Sequence, residues 1–457
     1  MPARFYLSKA MLANRYTSHF KQNFFLAYPV VLSQLGHILV SVCDSIMVGR
    51  TGTLPLAAAS LGNSIFTIFM VMGLGISLGI TPLIAAADGR KNRRRISLLL
   101  INGVLVCTVV GVLLFLMGYS FSPFLYYLNQ PTEVVRLAIP YLNILFISLI
   151  PLMIFQGFRQ FAEGLSLTRQ SMYISVLANV VNFFLNYLLV FGNLGFPEMG
   201  LNGAATATLI SRIMMPIMMG LYVYRAPRFA EYRQKTKAKI ISYKHMYRIS
   251  QLGLPIAVQM LFEMSAFSFS AIMIGWLGAQ QLAAHQIAIN IAAVTYMMAS
   301  GIATATTIRV SNELGRGRYQ QMRKVGFSSM IMTLLFMSVM AALLILGKSW
   351  IPQWYVTDLA VIQMAGGLLI IAALFQLSDG LQVVGLGALR GLEDVKIPGA
   401  ISLLAYWVLG LPTGYLLCFK LGFGVNGIWL GLLTGLSIAA VLLFFRFKKL
   451  SASIARR

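Results

Sequence analysis

Three carboxylates stand where carboxylates are rarely kept. Asp44, Glu263 and Asp379 each lie inside an apolar run long enough to cross a bilayer, whereas the other nine of the twelve acids fall in loops or at run ends. A charged side chain at the bilayer centre costs at least about 2.5 to 3.5 kcal/mol, so such residues persist mainly where they face a cavity or a partner. Burial also makes their protonation and cation binding responsive to small changes in surroundings. The chemistry they suit is reversible uptake of a proton or a small cation. The blander alternative is a neutral acid hydrogen-bonded inside a helix bundle.

Other polar residues share these runs. Asn182 and Asn186 are one helical turn apart, so their amides point the same way. Amide oxygens suit a hard cation such as sodium, and paired Asn equally serves as glue between helices. His37, seven residues before Asp44, titrates near neutrality if exposed to water; a hydrogen-bonded core histidine is the alternative. Arg212 either pairs with an acid or snorkels. Met260, Phe262, Met264, Phe267, Met297 and Met298 suit an adaptable pocket, or simply pack. No P-loop, GxSxG, HExxH or His/Cys cluster occurs, so neither ATP hydrolysis nor an enzyme active site is indicated and no cofactor is expected.

The elements that must position these residues are membrane helices. With 58% hydrophobic residues, 11% charged residues and a mean hydropathy of +0.79, the chain reads as an all-α integral membrane protein. Runs of about 20 apolar residues, the length that spans a bilayer, recur twelve times, at 24–49, 55–87, 95–118, 133–158, 169–192, 201–224, 246–276, 279–309, 325–347, 358–388, 397–418 and 424–446. Alternating β-barrel strands fit none of them. Cys43, Cys107 and Cys418 lie in three separate runs and indicate neither disulfides nor zinc. The net charge of +24 lies between the runs, which points to a membrane surface and not to nucleic acid.

The chain is duplicated. Shifted by 226 residues, 253–291 lies on 27–65 with ten of 39 positions identical, including Pro29 with Pro255, Gly52 with Gly278 and Leu56-Ala57-Ala58 with Leu282-Ala283-Ala284. Gly200-Leu-Asn-Gly203 likewise matches Gly424-Val-Asn-Gly427. The expected organisation is an N-terminal segment at 1–23, a first lobe at 24–224, a basic linker at 225–245, a second lobe at 246–446 and a basic tail at 447–457. Six spans per copy give both copies the same orientation, an arrangement that places a substrate cavity between the halves. Segments on the side of the termini hold 31 of the 36 Lys and Arg, so both termini are expected in the cytoplasm.

Several stretches, taken in order, carry a family resemblance: CDSIMVG at 43–49, LFEMS at 261–265, AAHQIAIN at 283–290, TTIRVSNELG at 306–315, FQLSDGLQVV at 375–384, GALRG at 387–391 and YWVLGLPTGY at 406–415. Together they resemble the multidrug and toxic compound extrusion (MATE) family, in its bacterial NorM-like branch. The resemblance implies a V-shaped pair of six-helix lobes in the bacterial cytoplasmic membrane that exports drug-like, often cationic, small molecules in exchange for sodium ions or protons, as a monomer. It also implies an N-lobe site of Asp44, Asn182 and Asn186 with Thr208, and a C-lobe cation site of Glu263 and Asp379, either of which would hold sodium. Relatives often place a Tyr one turn before the second acid, where Phe375 stands here without a hydroxyl. A lipid-linked precursor flippase of related architecture would favour a strongly cationic cavity, whereas the ionisable groups named above are mostly acidic. A membrane-embedded enzyme would need a catalytic cluster that is not visible.

The charge asymmetry is testable by labelling. In a background lacking the three native cysteines, Tyr127→Cys should react with an impermeant thiol reagent in intact cells. Lys235→Cys should react only after permeabilisation, and reaction of residue 235 from outside would invert the topology.

Overall fold

The computed structural model describes residues 3–127, 130–232 and 241–456, with side chains from His19 onward except that of His37. Residues 233–240 of the basic linker and 128–129, between the third and fourth apolar runs, lie outside the described residues. Among the described residues twelve helices are long and apolar enough to cross a membrane: α1 (His19–Gly49), α2 (Thr53–Gly89), α3 (Arg93–Tyr127), α4 (Thr132–Gly164), α5 (Thr168–Leu189), α6 (Gly200–Arg225), α7 (Tyr243–Gly275), α8 (Ala279–Gly315), α9 (Tyr319–Gly347), α10 (Leu359–Gly391), α11 (Lys396–Lys420) and α12 (Gly424–Ala455). In hydrocarbon the backbone must satisfy its own hydrogen bonds, and uninterrupted helices do so.

Local chemistry sets the helix ends. Asn92 Oδ1 accepts from the amide of Arg95 at 3.0 Å to cap α3, and Asp358 Oδ1 accepts from Ala360 at 2.9 Å to cap α10. Four helices depart from regular α geometry: α2 breaks between Ser77 and Ile80, α3 ends in a 3-10 segment at Ser122–Tyr127, α4 is interrupted at Ser148, and α11 contains π-helical turns at Leu404–Gly410 and Leu416–Lys420.

The duplication is written in the backbone. Gly52 and Gly278, which precede α2 and α8, share φ values of 137° and 135°. Lys91 and Gly317 (55° and 71°), and Gly200 and Gly424 (51° and 56°), repeat the pattern. Packing repeats as well: Thr81 Oγ1 donates to the carbonyl of Gln160, and Thr307 Oγ1 to that of Gly387. Gly164 sits against Ile84 and the Thr81 carbonyl as Gly391 sits against Val310 and the Thr307 carbonyl.

The chain divides into two compact units, one of Met1–Val31 with Gln259–Arg457 and the other of Leu32–Val258. Each division point therefore falls inside a helix, in α1 and in α7. In the first unit Asn23 Nδ2 donates to Ser329 Oγ at 2.8 Å, and Arg309 donates to His19, Gln22 and Asn23, fastening the start of α1 to α8 and α9. In the other, the start of α7 packs on α2, where Gly75 and Gly79 bring backbone against Ala257 and Gly253. Small residues are the usual means of close helix approach where lipid offers no hydrophobic driving force between helices.

That contact mode predicts where a methyl group is not tolerated. A Cβ on Gly431 would lie 2.3 Å from Gly414 Cα, a backbone atom of α11, whereas one on Gly367 would meet nothing within 4 Å. Gly431→Ala should lower stability by about 1 to 3 kcal/mol, read as a reduced melting temperature in detergent. Gly367→Ala should leave it unchanged or raised.

Candidate functional site

In the unit of residues 32–258, α1, α5 and α6 bring together four of the expected residues. Asn186 Nδ2 donates to Asp44 Oδ1 through a short hydrogen bond. A carboxylate accepts only, so the Asn182 amide is oriented with its nitrogen toward it: it donates to Asp44 Oδ1 at 3.1 Å and accepts from Thr208 Oγ1 at 3.2 Å. Asn182 and Asn186 are buried, and Asp44 is partly buried. The Asn186 oxygen is a buried acceptor with no partner among the described residues. The pair on α5 therefore faces Asp44 as one surface, as the one-turn spacing requires.

Arg212 of α6 neither snorkels nor forms an ion pair with Asp44 within 4 Å among the described residues. Its Nη1 donates to Ser148 Oγ at 2.7 Å and its guanidinium lies 4.9 Å from the Phe66 ring centroid. The charges of Arg212 and Asp44 nevertheless act on one another. Tyr141, whose hydroxyl donates to Asn63 Oδ1 at 3.1 Å, borders the same site. His37 lies on α1, and its side chain is outside the described residues.

The second site belongs to the other unit. Glu263 on α7 and Asp379 on α10 are both buried and near enough for their charges to interact. Two amides donate to Glu263, Gln259 Nε2 at 2.8 Å and Gln382 Nε2 at 3.4 Å, and the Tyr406 hydroxyl oxygen lies 3.4 Å away with its single proton directed to Gln382 Oε1. None of them is directed at Asp379. The Tyr406 hydroxyl also lies 2.7 Å from Gln382 Oε1, and Arg390 Nη2 donates to Gln259 Oε1 at 2.8 Å. Gln376, one turn before Asp379, is fully buried and its amide has no partner among the described residues.

Sequence reasoning missed Gln259, Gln376, Gln382, Arg390 and Tyr406. The signal was present, since Gln259 lies one turn before Glu263, and Gln376 and Gln382 flank Asp379 at three residues on either side. Arg390 stands one residue from the end of α10 and reads as a loop charge, yet its side chain reaches inward. The missing hydroxyl at Phe375 also has a physical sequel. Phe375 packs with Phe267 and Trp429 at centroid separations of 6.1 and 5.6 Å, while the hydroxyl near Glu263 comes from Tyr406 on α11.

Comparison with known proteins fits this arrangement. The MatE family profile matches residues 29–188 and 255–416, one segment in each half of the chain. A protein named "Probable multidrug resistance protein NorM" from Idiomarina loihiensis is 34% identical over 437 residues, covering 94% of both chains. "Multidrug resistance protein MdtK" of Yersinia pestis is 34% identical, covering 93% of this chain and 94% of the relative. In fold, the chain is similar to a eukaryotic MATE transporter with a TM-score of 0.86 at 22% identity, covering 97% and 99% of the two chains. It is also similar to an outward-facing multidrug resistance MATE family transporter, with a TM-score of 0.88 at 18% identity, covering 96% and 97%.

The geometry around Glu263 makes Tyr406 a measurable contributor. Tyr406→Phe leaves Gln382 Oε1 without its 2.7 Å partner and so loosens the amide that donates to Glu263. Stability should fall by about 1 to 3 kcal/mol, measured by thermal or denaturant unfolding in detergent; an unchanged midpoint would show that these bonds carry little.

Proposed function

The chain belongs to the MatE family, in its bacterial NorM-like branch, and on that footing we propose that it is an antiporter that exports drug-like, often cationic compounds in exchange for inward-moving sodium ions or protons. The observation that carries the reading is the Glu263–Asp379 pair: two buried carboxyls on facing membrane helices, neither in an ion pair within 4 Å among the described residues. Two such groups repel when both are ionised, so the site gains from taking up a cation. In the unit of residues 32–258, Asp44, Asn182, Asn186 and Thr208 form a second polar site that takes part in the exchange and receives cationic substrate. The lobes correspond to residues 24–224 and 246–446, with both termini in the cytoplasm.

Exchange requires that binding of one partner disfavour the conformation that holds the other, and by linkage the effect is reciprocal. An ion entering from outside moves down the membrane potential, about 2.3 kcal/mol per charge per 100 mV, and that free energy biases the protein toward reloading after drug has left. The drug and ion need not touch the same atoms.

In proteoliposomes, efflux of a fluorescent cationic dye should respond to an imposed sodium gradient or proton gradient applied separately. Glu263→Gln and Asp379→Asn should retain dye binding while losing ion-stimulated release, and Asp44→Asn should abolish efflux in a folded, inserted protein. Wild-type release by both C-terminal variants would remove the pair from the mechanism.

A further inference from the structure

The charges around Glu263 do not cancel, and the group that reduces the imbalance is Arg390. It follows Asp379 by eleven residues on α10, about three turns, so both lie on one side of the helix. Arg390 donates to Gln259 Oε1 and the same amide donates to Glu263 Oε2, each at 2.8 Å. A single amide thus holds the guanidinium off the carboxyl while keeping the two charges in each other's field. Arg390 forms no ion pair within 4 Å among the described residues. An arginine does not release its proton in proteins.

Counting formal charges separates the two sites. Asp44 has Arg212 beside it, one negative and one positive group. Among the described residues Glu263 and Asp379 have only Arg390, whose charge acts on Glu263: two negative groups and one positive. Among the described residues the remaining titratable groups that face this cluster, Tyr296 on α8 and Tyr406 on α11, are phenols and uncharged near neutral pH. Net charge in a low-dielectric interior is costly. By formal charge the cluster of side chains is therefore one positive charge short of neutrality, and a second bound cation would leave it one in excess.

We propose that Arg390 is a built-in cation that sets at one the number of monovalent cations taken up by the Glu263–Asp379 pair. Because Gln259 stands between guanidinium and carboxyl, Arg390 supplies charge without occupying the oxygens that the incoming cation needs. The proposal rests on reading this pair as the coupling-cation site, and it concerns the count, which a sodium ion or a proton satisfies equally.

The test counts ions on purified protein in an Asp44→Asn background, without drug or gradient. Bound radioactive sodium is measured by equilibrium dialysis, and proton uptake by pH change in weak buffer with choline replacing sodium; the assay that carries the count identifies the ion. With Arg390 present, one cation is expected. Arg390→Gln should bind its first cation at least tenfold more tightly and take up a second, and Arg390→Lys should restore one. Asp379→Asn should take up none, and Asp379→Asn combined with Arg390→Gln should regain one. The double variant conserves the net charge of the cluster and decides the matter if Arg390→Gln alone does not fold. Equal count and affinity in Arg390→Gln and its parent, undiminished uptake by Asp379→Asn, or no countable cation in the parent would each overturn the proposal. A correct count with no gradient-driven efflux in liposomes would instead remove the antiport reading and leave the count standing.

Discussion

A carboxylate in hydrocarbon has to be met by donors from the protein itself, and the polar side chains around Glu263 and Asp44 are arranged to meet that requirement. Glu263 draws an amide from its own helix and a second from α10, which is in turn held by the Tyr406 hydroxyl of α11. Asp44 draws on two amides of α5, the second of which leans on α6 through Thr208. Each of these two acids thereby ties together three helices. Because water cannot fill a missing bond within the hydrocarbon, such a tie either forms fully or leaves a costly gap. Among the described residues the buried amide of Gln376, one turn from Asp379, has no partner.

The helices were legible in the sequence because bilayer thickness imposes a length and an apolar composition that few other structures share. The repeat was legible because positive-φ positions tolerate few residue types: Gly52 and Gly278 survive in both copies, and their backbones match. What could not be read was the point at which the compact units divide. It falls within α1 and α7, whose apolar runs continue unbroken through Val31 and Val258. Hydropathy reports that a helix lies in the membrane, and it carries no information about which neighbours the helix packs against.

The acids of the sites were visible for a related reason: an Asp or Glu in an apolar run is conspicuous. Their partners were not. Gln and Tyr cost less to bury, so Gln259, Gln382 and Tyr406 blend into their surroundings, and only spacing from a known acid would have drawn attention to them. Arg390 was hidden by position, near the end of α10 where a basic residue ordinarily reaches for water. Its inward course depends on the buried acceptor presented by Gln259, a tertiary fact. Phe375 shows the reverse case, since the absent hydroxyl was evident while its replacement from α11 required the fold.

The five tryptophans, Trp276, Trp350, Trp354, Trp407 and Trp429, all lie in the unit that holds Glu263, and residues 32–258 contain none. Trp429 packs 5.6 Å from Phe375 and its indole N–H donates to His285 Nδ1 at 3.2 Å; Trp407 donates to the carbonyl of Phe262, next to Glu263. Tryptophan emission from the unlabelled protein therefore originates in one repeat alone. Events around Glu263 and those around Asp44 are optically distinct without any dye, the first carrying intrinsic indole fluorophores and the second relying on tyrosine.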